Sequence, residues 1–235
     1  MSLSNAEFGL LQRNIDAVVE RIAALNLTLV IERDFDRLSA YLESSGTFIN
    51  PTFDPQRSDL SKDKDSFWFR VVDEDGTTVA SHADRIFDNA DFAELIATGR
   101  LWYSEGVDGD VATKLSAALQ TLGTPVRGRI GHSGGMWIHP QHRKKGLSLY
   151  LPYLSRALCI RNYETDFQTG VVLKSLAESG VPHYAYGYPH VELCLNGYLP
   201  LNLADKHLYA CYISREESFE QIQALGSHPL YPVAA

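Results

Sequence analysis

A mixed α/β or α+β domain is the fold class this sequence predicts, and three observations predict it. Apolar residues recur at steps of three and four over the first 25 positions, the spacing of an amphipathic helix. Two β-rich runs flank Asp75-Gly76, a strong signal for a tight hairpin. From there extended and helical patterns alternate to the end, with no internal repeat and no linker that would split the chain. One domain over residues 1–235 is the expectation.

The elements follow in order. Ser4-x-x-Glu7 is a capping-box signature, because serine oxygen and glutamate carboxylate can satisfy the orphan amides of a first helical turn. Behind it Phe8, Leu11, Ile15, Val18, Ile22 and Leu25 form a seam over 4–25, expected to lie on the core or, alternatively, to pair two copies as a homodimer. Residues 27–32 read as a strand and 36–45 as a helix stopped by Gly46. The Pro-, Asp-, Ser- and Lys-rich stretch 50–64 is a loop. Strands are expected at 66–72 and 77–87. Helices follow at 89–98 and 109–122, each ended by a glycine, with a short strand at 101–103 between them.

Residues 126–138 read as extended, with Gly131-His132-Ser133-Gly134-Gly135 marking a bulge or a close backbone approach. A helical stripe runs from Leu147 through Tyr150, Leu151, Leu154 and Leu158, with a kink expected at Pro152. A helix is expected at 172–178 and a strand at 183–188. Residues 198–203 and 207–214 read as a terminal hairpin, and Ser214-x-x-Glu217 opens a last helix to 225.

Composition narrows the function. Of 235 residues, 45% are apolar and 21% charged, enough for a well-developed core. Twenty-one Lys plus Arg against 29 Asp plus Glu give a net charge of −8, which argues against nucleic acid or an anionic membrane as partner. No run approaches the roughly 18–20 apolar residues that span a bilayer, and the start lacks a signal-peptide layout. Cys159, Cys194 and Cys211 are odd in number and widely spaced, so they read as reduced core thiols of a cytoplasmic protein.

Against that acidic background one basic segment stands out. An extended run ends at His139-Pro140; His142-Arg143-Lys144-Lys145 follows, then Gly146 and a helix. Strand, loop and glycine-led helix together aim several backbone N–H groups at one spot, which makes an anion site. Three cations ahead of a helix start oppose its dipole by about 0.3–1 kcal/mol each. A bound pyrophosphate reverses that sign, each charge-assisted contact contributing about 1.5–3 kcal/mol.

Met136, Ile138, Pro140, Arg143, Gly146, Leu147 and Ser148, taken together, resemble motif A of the GNAT acyltransferases, commonly written Gln/Arg-x-x-Gly-x-Gly/Ala. The resemblance implies an acyl-CoA N-acyltransferase fold with a central, mostly antiparallel sheet flanked by helices. It implies acetyl-CoA or another acyl-CoA as co-substrate and an amine, on a small molecule or a protein, as acceptor. Carried over, the amides of His142, Arg143, Lys144, Lys145, Gly146, Leu147 and Ser148 would hold the pyrophosphate, and Met136, Trp137 and Ile138 would offer main-chain contacts to pantetheine. Two departures stand out. Ser148 replaces the usual Gly or Ala, and residues 88–125 form an insertion where the family usually connects directly.

An amine acceptor with a pKa near 10.4 is only roughly one part in two thousand neutral at pH 7, so a base or a water chain is needed. The resemblance implies a backbone amide, at Ile138, as donor to the thioester oxygen, and direct attack without a nucleophilic serine. The family's usual acid is a tyrosine four residues before a Gly-Phe; here Gly197-Tyr198 takes that place and Leu193 stands where the tyrosine would be. Tyr188 is the chosen replacement, ahead of Tyr186 and Cys194. Glu192, His132 and His139 are the candidate bases. His139-x-x-His142 lacks a third and fourth ligand, so no metal is expected. A CoA-binding module without chemistry is the competing reading.

Overall fold

Ser4 opens the first helix as its capping box predicts: its hydroxyl accepts from the Glu7 amide at 3.3 Å while the Glu7 carboxylate takes the Ser4 amide at 2.8 Å. The computed structural model describes residues 2–60 and 66–225, so positions 61–64 of the expected loop lie outside the described residues. Helix α1 (Asn5–Ala23) is followed by β1 (Thr28–Glu32), α2 (Phe35–Ser44) and the hairpin β2 (Phe67–Val72) and β3 (Thr78–Asp91). Then come α3 (Phe92–Ala97), α4 (Gly109–Ala118), β4 (Arg127–Ile138) and α5 (Leu147–Tyr163). The chain finishes with β5 (Phe167–Leu173), α6 (Lys174–Glu178), α7 (Val181–Tyr184), β6 (His190–Leu195), β7 (Leu208–Ser214) and α8 (Arg215–Leu225).

Among the described residues seven strands make one sheet in the order β1-β2-β3-β4-β5-β7-β6. Every neighbouring pair is antiparallel except β4 and β5, which run parallel. This is the mostly antiparallel, helix-flanked α+β sheet expected. One face is covered by α1, α5 and α8, whose Leu11, Val18, Leu151, Leu154 and Ile222 meet Phe69, Val71 and Ile86 of the sheet. Each such side chain removed from water contributes roughly 1.5–3 kcal/mol. The α1 stripe is buried within this core, the first of its two readings; Phe8 at its start stays about half exposed, at 49%. Helix α5 is central: every residue from Leu151 to Ile160 is buried, and it passes without a break through Pro152.

The opposite face carries α2 with Phe53 and Trp68, and beside it α3 and α4 packed on β6 and β7. The segment between β3 and β4 therefore roofs half of that face. Its tail also caps the β6 edge: Gln120 donates to Cys194 O, Asn196 to Ala118 O, and Leu119 bridges Leu195. That covers unpaired edge groups that would otherwise invite association.

Several local expectations are corrected. β3 runs on to Asp91, whose side chain caps α3 through the amides of Ala93 and Glu94, so the helix starts three residues later than expected. Leu101 and Trp102 sit fully buried in a turn, not a strand. The strand expected at 183–188 is α7 and a loop, because Gly180 and Gly187 at positive φ bracket it and Pro182 suits a first helical turn. Residues 167–173 form β5, an interior strand without polar–apolar alternation that the sequence reading does not pick out, and the helix expected at 172–178 begins only at Lys174. Residues 198–203 form no strand; β6 is the partner of β7.

Candidate active site

β4 and β5 share a parallel ladder from Ile130–Phe167 to Ser133–Gly170 and then part. Beyond that point β4 stays with β3 as far as Ile138, and β5 stays with β7 as far as Leu173. The divergence opens a wedge-shaped cleft. At its crotch lies a cavity of about 200 Å3 lined by Asn50, His82, Ser133, Tyr186, Tyr188 and Cys211 among others. Farther out, a second cavity of about 350 Å3 is lined by Met136, Trp137, Ile138, His142, Arg143, Lys144, Leu147 and Ser148. Met136 and Tyr186 line both, so the two adjoin.

A bulge shapes the β4 side. Ser81 pairs with Trp137 and Ala83 with Gly134, leaving Gly135 and Met136 together opposite His82. Gly135 takes φ +57, a conformation that favours glycine, and its carbonyl accepts from the Ser81 hydroxyl at 2.9 Å. The glycine cluster thus marks a bulge at its C-terminal end. Because the His139 amide bonds back to Val79 O, the alternation of a strand turns Ile138 N–H and C=O toward the cleft, and the Arg143 side chain reaches that carbonyl at 3.2 Å.

The basic loop is a 3-10 turn at Pro140–His142, then a reversal through Lys144 at φ +63 and Gly146 at φ +85. Gly146 is the N-cap of α5 and offers no side chain to the first amides, so Leu147 and Ser148 have neither an intrahelical acceptor nor a cap. A Cβ at Gly146 would lie 2.9 Å from the Tyr150 ring, which would have to move aside, and φ +85 itself favours glycine. Burial, with Lys145 and His139 adding to it, holds the His142 imidazole below its ordinary pKa. Open amides, exposed Arg143 and Lys144, and the positive end of a 17-residue helix front the outer cavity, with exposed Lys145 next to them in the loop.

The candidate acid–base residues separate sharply. Tyr188 is buried against the crotch and its hydroxyl donates to Thr169 O at 3.2 Å; burial raises its pKa. Tyr186 stands where the cavities meet, its pKa pushed up to about 12 by burial first and by Cys211 next. Arg156, itself buried, donates to Tyr186 O at 3.0 Å and lies 5.3 Å from the Tyr188 ring.

His132 lies elsewhere. It is fully buried between Phe53 and Phe92 with Nδ1 2.9 Å from Thr169 Oγ1, and burial lowers its pKa to about 3. Glu192 lines neither cavity; it accepts the Gly123 amide at 2.7 Å and the Tyr212 hydroxyl at 2.6 Å, tying the roof to the sheet. Cys194 is buried with its thiol on Leu208 O. These three placements do not reach the cleft. His139 faces its own loop, accepting from the Gln141 amide.

Sequence reasoning passes over His82 and Asp84. They stand two apart on β3, on one face, in a buried stretch whose other polar members are Ser81 and Arg85. A run of polar residues inside an apolar strand is the available signal. Asp84 is wholly buried beneath the crotch; its Oδ1 accepts from Ser133 at 2.8 Å, Ser155 at 2.7 Å and Gln168 at 2.8 Å. His82 stacks on Phe69 and lines the crotch cavity. Burial outweighs the attraction of Asp84, 4.0 Å away, and lowers its pKa, so the imidazole is neutral at pH 7. Among the described residues no cluster of three or more His, Cys, Asp or Glu is placed to hold a metal, and no helix is long and apolar enough to cross a membrane.

Solved structures share this architecture. Spermidine N-acetyltransferase from Vibrio cholerae, in a dodecameric intermediate state, is 12% identical over 83% of this chain and 98% of that one, with a TM-score of 0.51. A point mutant of that enzyme matches with the same identity, coverage and score. Ribosomal-protein-S5-alanine acetyltransferase from Vibrio fischeri is 11% identical over 82% and 94%, at a TM-score of 0.49. By sequence, no family model and no curated protein matches. The chain has the fold of the GNAT acetyltransferases.

Proposed function

We propose that this chain is an acyl-CoA-dependent N-acyltransferase that passes an acyl group, acetyl in the first instance, directly to an amine. One observation carries the reading: the cleft where β4 leaves β5 runs straight to a glycine-led helix start that bears three cations and open amides. A diphosphate satisfies those amides and neutralises those charges. A pantetheine arm lies along Met136, Trp137 and Ile138, where the Ile138 main-chain groups face the cleft and have no β5 partner. The thioester then reaches the crotch, with Ile138 N–H as donor to its oxygen. Tyr188 remains the acid of choice, with Tyr186 at the cavity junction beside it.

The whole chain serves as one domain, the 88–125 insertion roofing the face opposite α5. The fold neighbour from Vibrio cholerae is dodecameric, so self-association belongs among the properties to measure, by light scattering. A CoA-binding module without turnover is the second reading, favoured by Leu193 at the family's tyrosine position.

Thermal shift with CoA, acetyl-CoA and longer acyl-CoAs, alongside thiol release across an amine panel, tests both. Ligand at a hundred times Kd should add about 2.7 kcal/mol of stability. Binding with turnover supports the enzyme, binding without turnover for any amine supports the module, and no binding removes both.

A further inference from the structure

We propose that His82, backed by Asp84, is the base that takes the proton from the attacking amine. The inference rests on the acyltransferase reading and deepens it by assigning the proton acceptor, for which neither His132 nor Glu192 is in place. His82 sits opposite the Gly135–Met136 bulge, is 3% exposed, and contributes to the wall of the crotch cavity. Among the described residues neither of its ring nitrogens has a hydrogen-bond partner. Buried nitrogens of this kind are normally satisfied, and the ring that carries these two borders the cavity. A bound N–H group is the complement it lacks.

Asp84 is arranged for the charged state. Three donors hold Oδ1, while Oδ2 is buried without a partner and lies 4.0 Å from His82 Nε2. When His82 is neutral that oxygen gains little from it. Once the ring is protonated, an imidazolium faces a carboxylate in a water-poor site, so the attraction appears as the proton moves. The other charged or titratable groups around the cavity are Arg156 on α5, Tyr186 and Tyr188 on the loop after α7, and Cys211 on β7. Burial first, and Arg156 after Asp84's opposing attraction, disfavour the protonated ring in the free site.

The acceptor enters as a neutral amine and its lone pair attacks the thioester carbonyl, forming the C–N bond. The nitrogen, now positive, releases one proton to His82. The C–S bond breaks, and the thiolate takes a proton from the Tyr188 hydroxyl, which recovers one from solvent as the imidazolium returns its own. Amine plus thioester becomes amide plus thiol.

The test compares wild type with His82→Gln and Asp84→Asn, following CoA affinity by thermal shift and turnover by thiol release across pH. Expected are CoA affinity within about twofold, kcat reduced roughly 10²–10⁴-fold in His82→Gln, and an acidic limb in the wild-type kcat profile that vanishes in that variant. Asp84→Asn should move the limb to lower pH. Exogenous imidazole should restore part of the turnover of His82→Gly, which a purely structural role would not allow. Wild-type turnover without an acidic limb, or His82→Gln with unchanged kcat and limb, overturns His82 as base while leaving the acyltransferase reading intact. A wild type that binds no CoA overturns that reading, and this one with it.

Discussion

Ser133 on β4 and Gly170 on β5 are the last residues those two strands pair; one step farther on the backbones have separated and a cavity begins. The separation is held from both sides. β3 grips β4 through the bulge at Gly135, and β7 grips β5 to its end, so neither strand can close the gap without breaking another ladder.

The bulge should therefore be sensitive to its glycine. Gly135→Val places a β-branched residue at φ +57, at a cost of about 1–2 kcal/mol. The expected result is a Tm lower by roughly 2–8 °C together with weaker CoA binding, measured by thermal scan and ligand titration.

The loop prediction concerns charge. Arg143→Glu replaces a cation at the outer cavity with an anion facing the same open amides. Loss of one charge-assisted contact, about 1.5–3 kcal/mol, corresponds to at least a tenfold fall in CoA affinity. Unchanged affinity in calorimetry would refute the phosphate-loop assignment.

Glu192 tests the opposite kind of role. It ties Gly123 and Tyr212 together at the sheet edge, outside both cavities. Glu192→Gln should lower stability by about 0.5–1.5 kcal/mol in urea unfolding with kcat within about twofold of wild type. A thousandfold loss of kcat would return it to the list of bases.

His132 predicts an acid-labile fold. Unfolded, its imidazole binds a proton near the ordinary value of 6.5; folded, only near pH 3. Between those values the unfolded chain holds the extra proton, so acid favours unfolding there, by roughly 1.4 kcal/mol per pH unit. Above pH 6.5 the effect is absent. Buried His82 acts in the same direction. His132→Phe should flatten the fall in stability between pH 6 and 4 by about one proton's worth, read from urea midpoints at several pH values.

The fold was legible where local physics is sufficient. The capping box at Ser4, the Asp75-Gly76 hairpin and the Leu147–Leu158 stripe each carry their geometry in a few adjacent residues, and all three appear as expected. The segment 167–203 escapes a sequence reading because its signals are tertiary. β5 is covered on both faces, so polar–apolar alternation has no reason to appear, and the Gly180 and Gly187 turns break an apparently extended run.

The same division holds for the site. The basic loop before α5 was readable because consecutive amides, cations and a glycine are all local in sequence. Proton-handling groups are not local: whether His132, His82 or Glu192 meets the cleft depends on which sheet face it occupies and what packs there. A strand sends alternate side chains to opposite faces, and only the assembled helices decide which face is core and which borders a cavity. Sequence alone determined the class of fold and the basic, glycine-led loop to which the proposal assigns an anion; the tertiary structure decided that His132 belongs to the interior and His82 to the cavity.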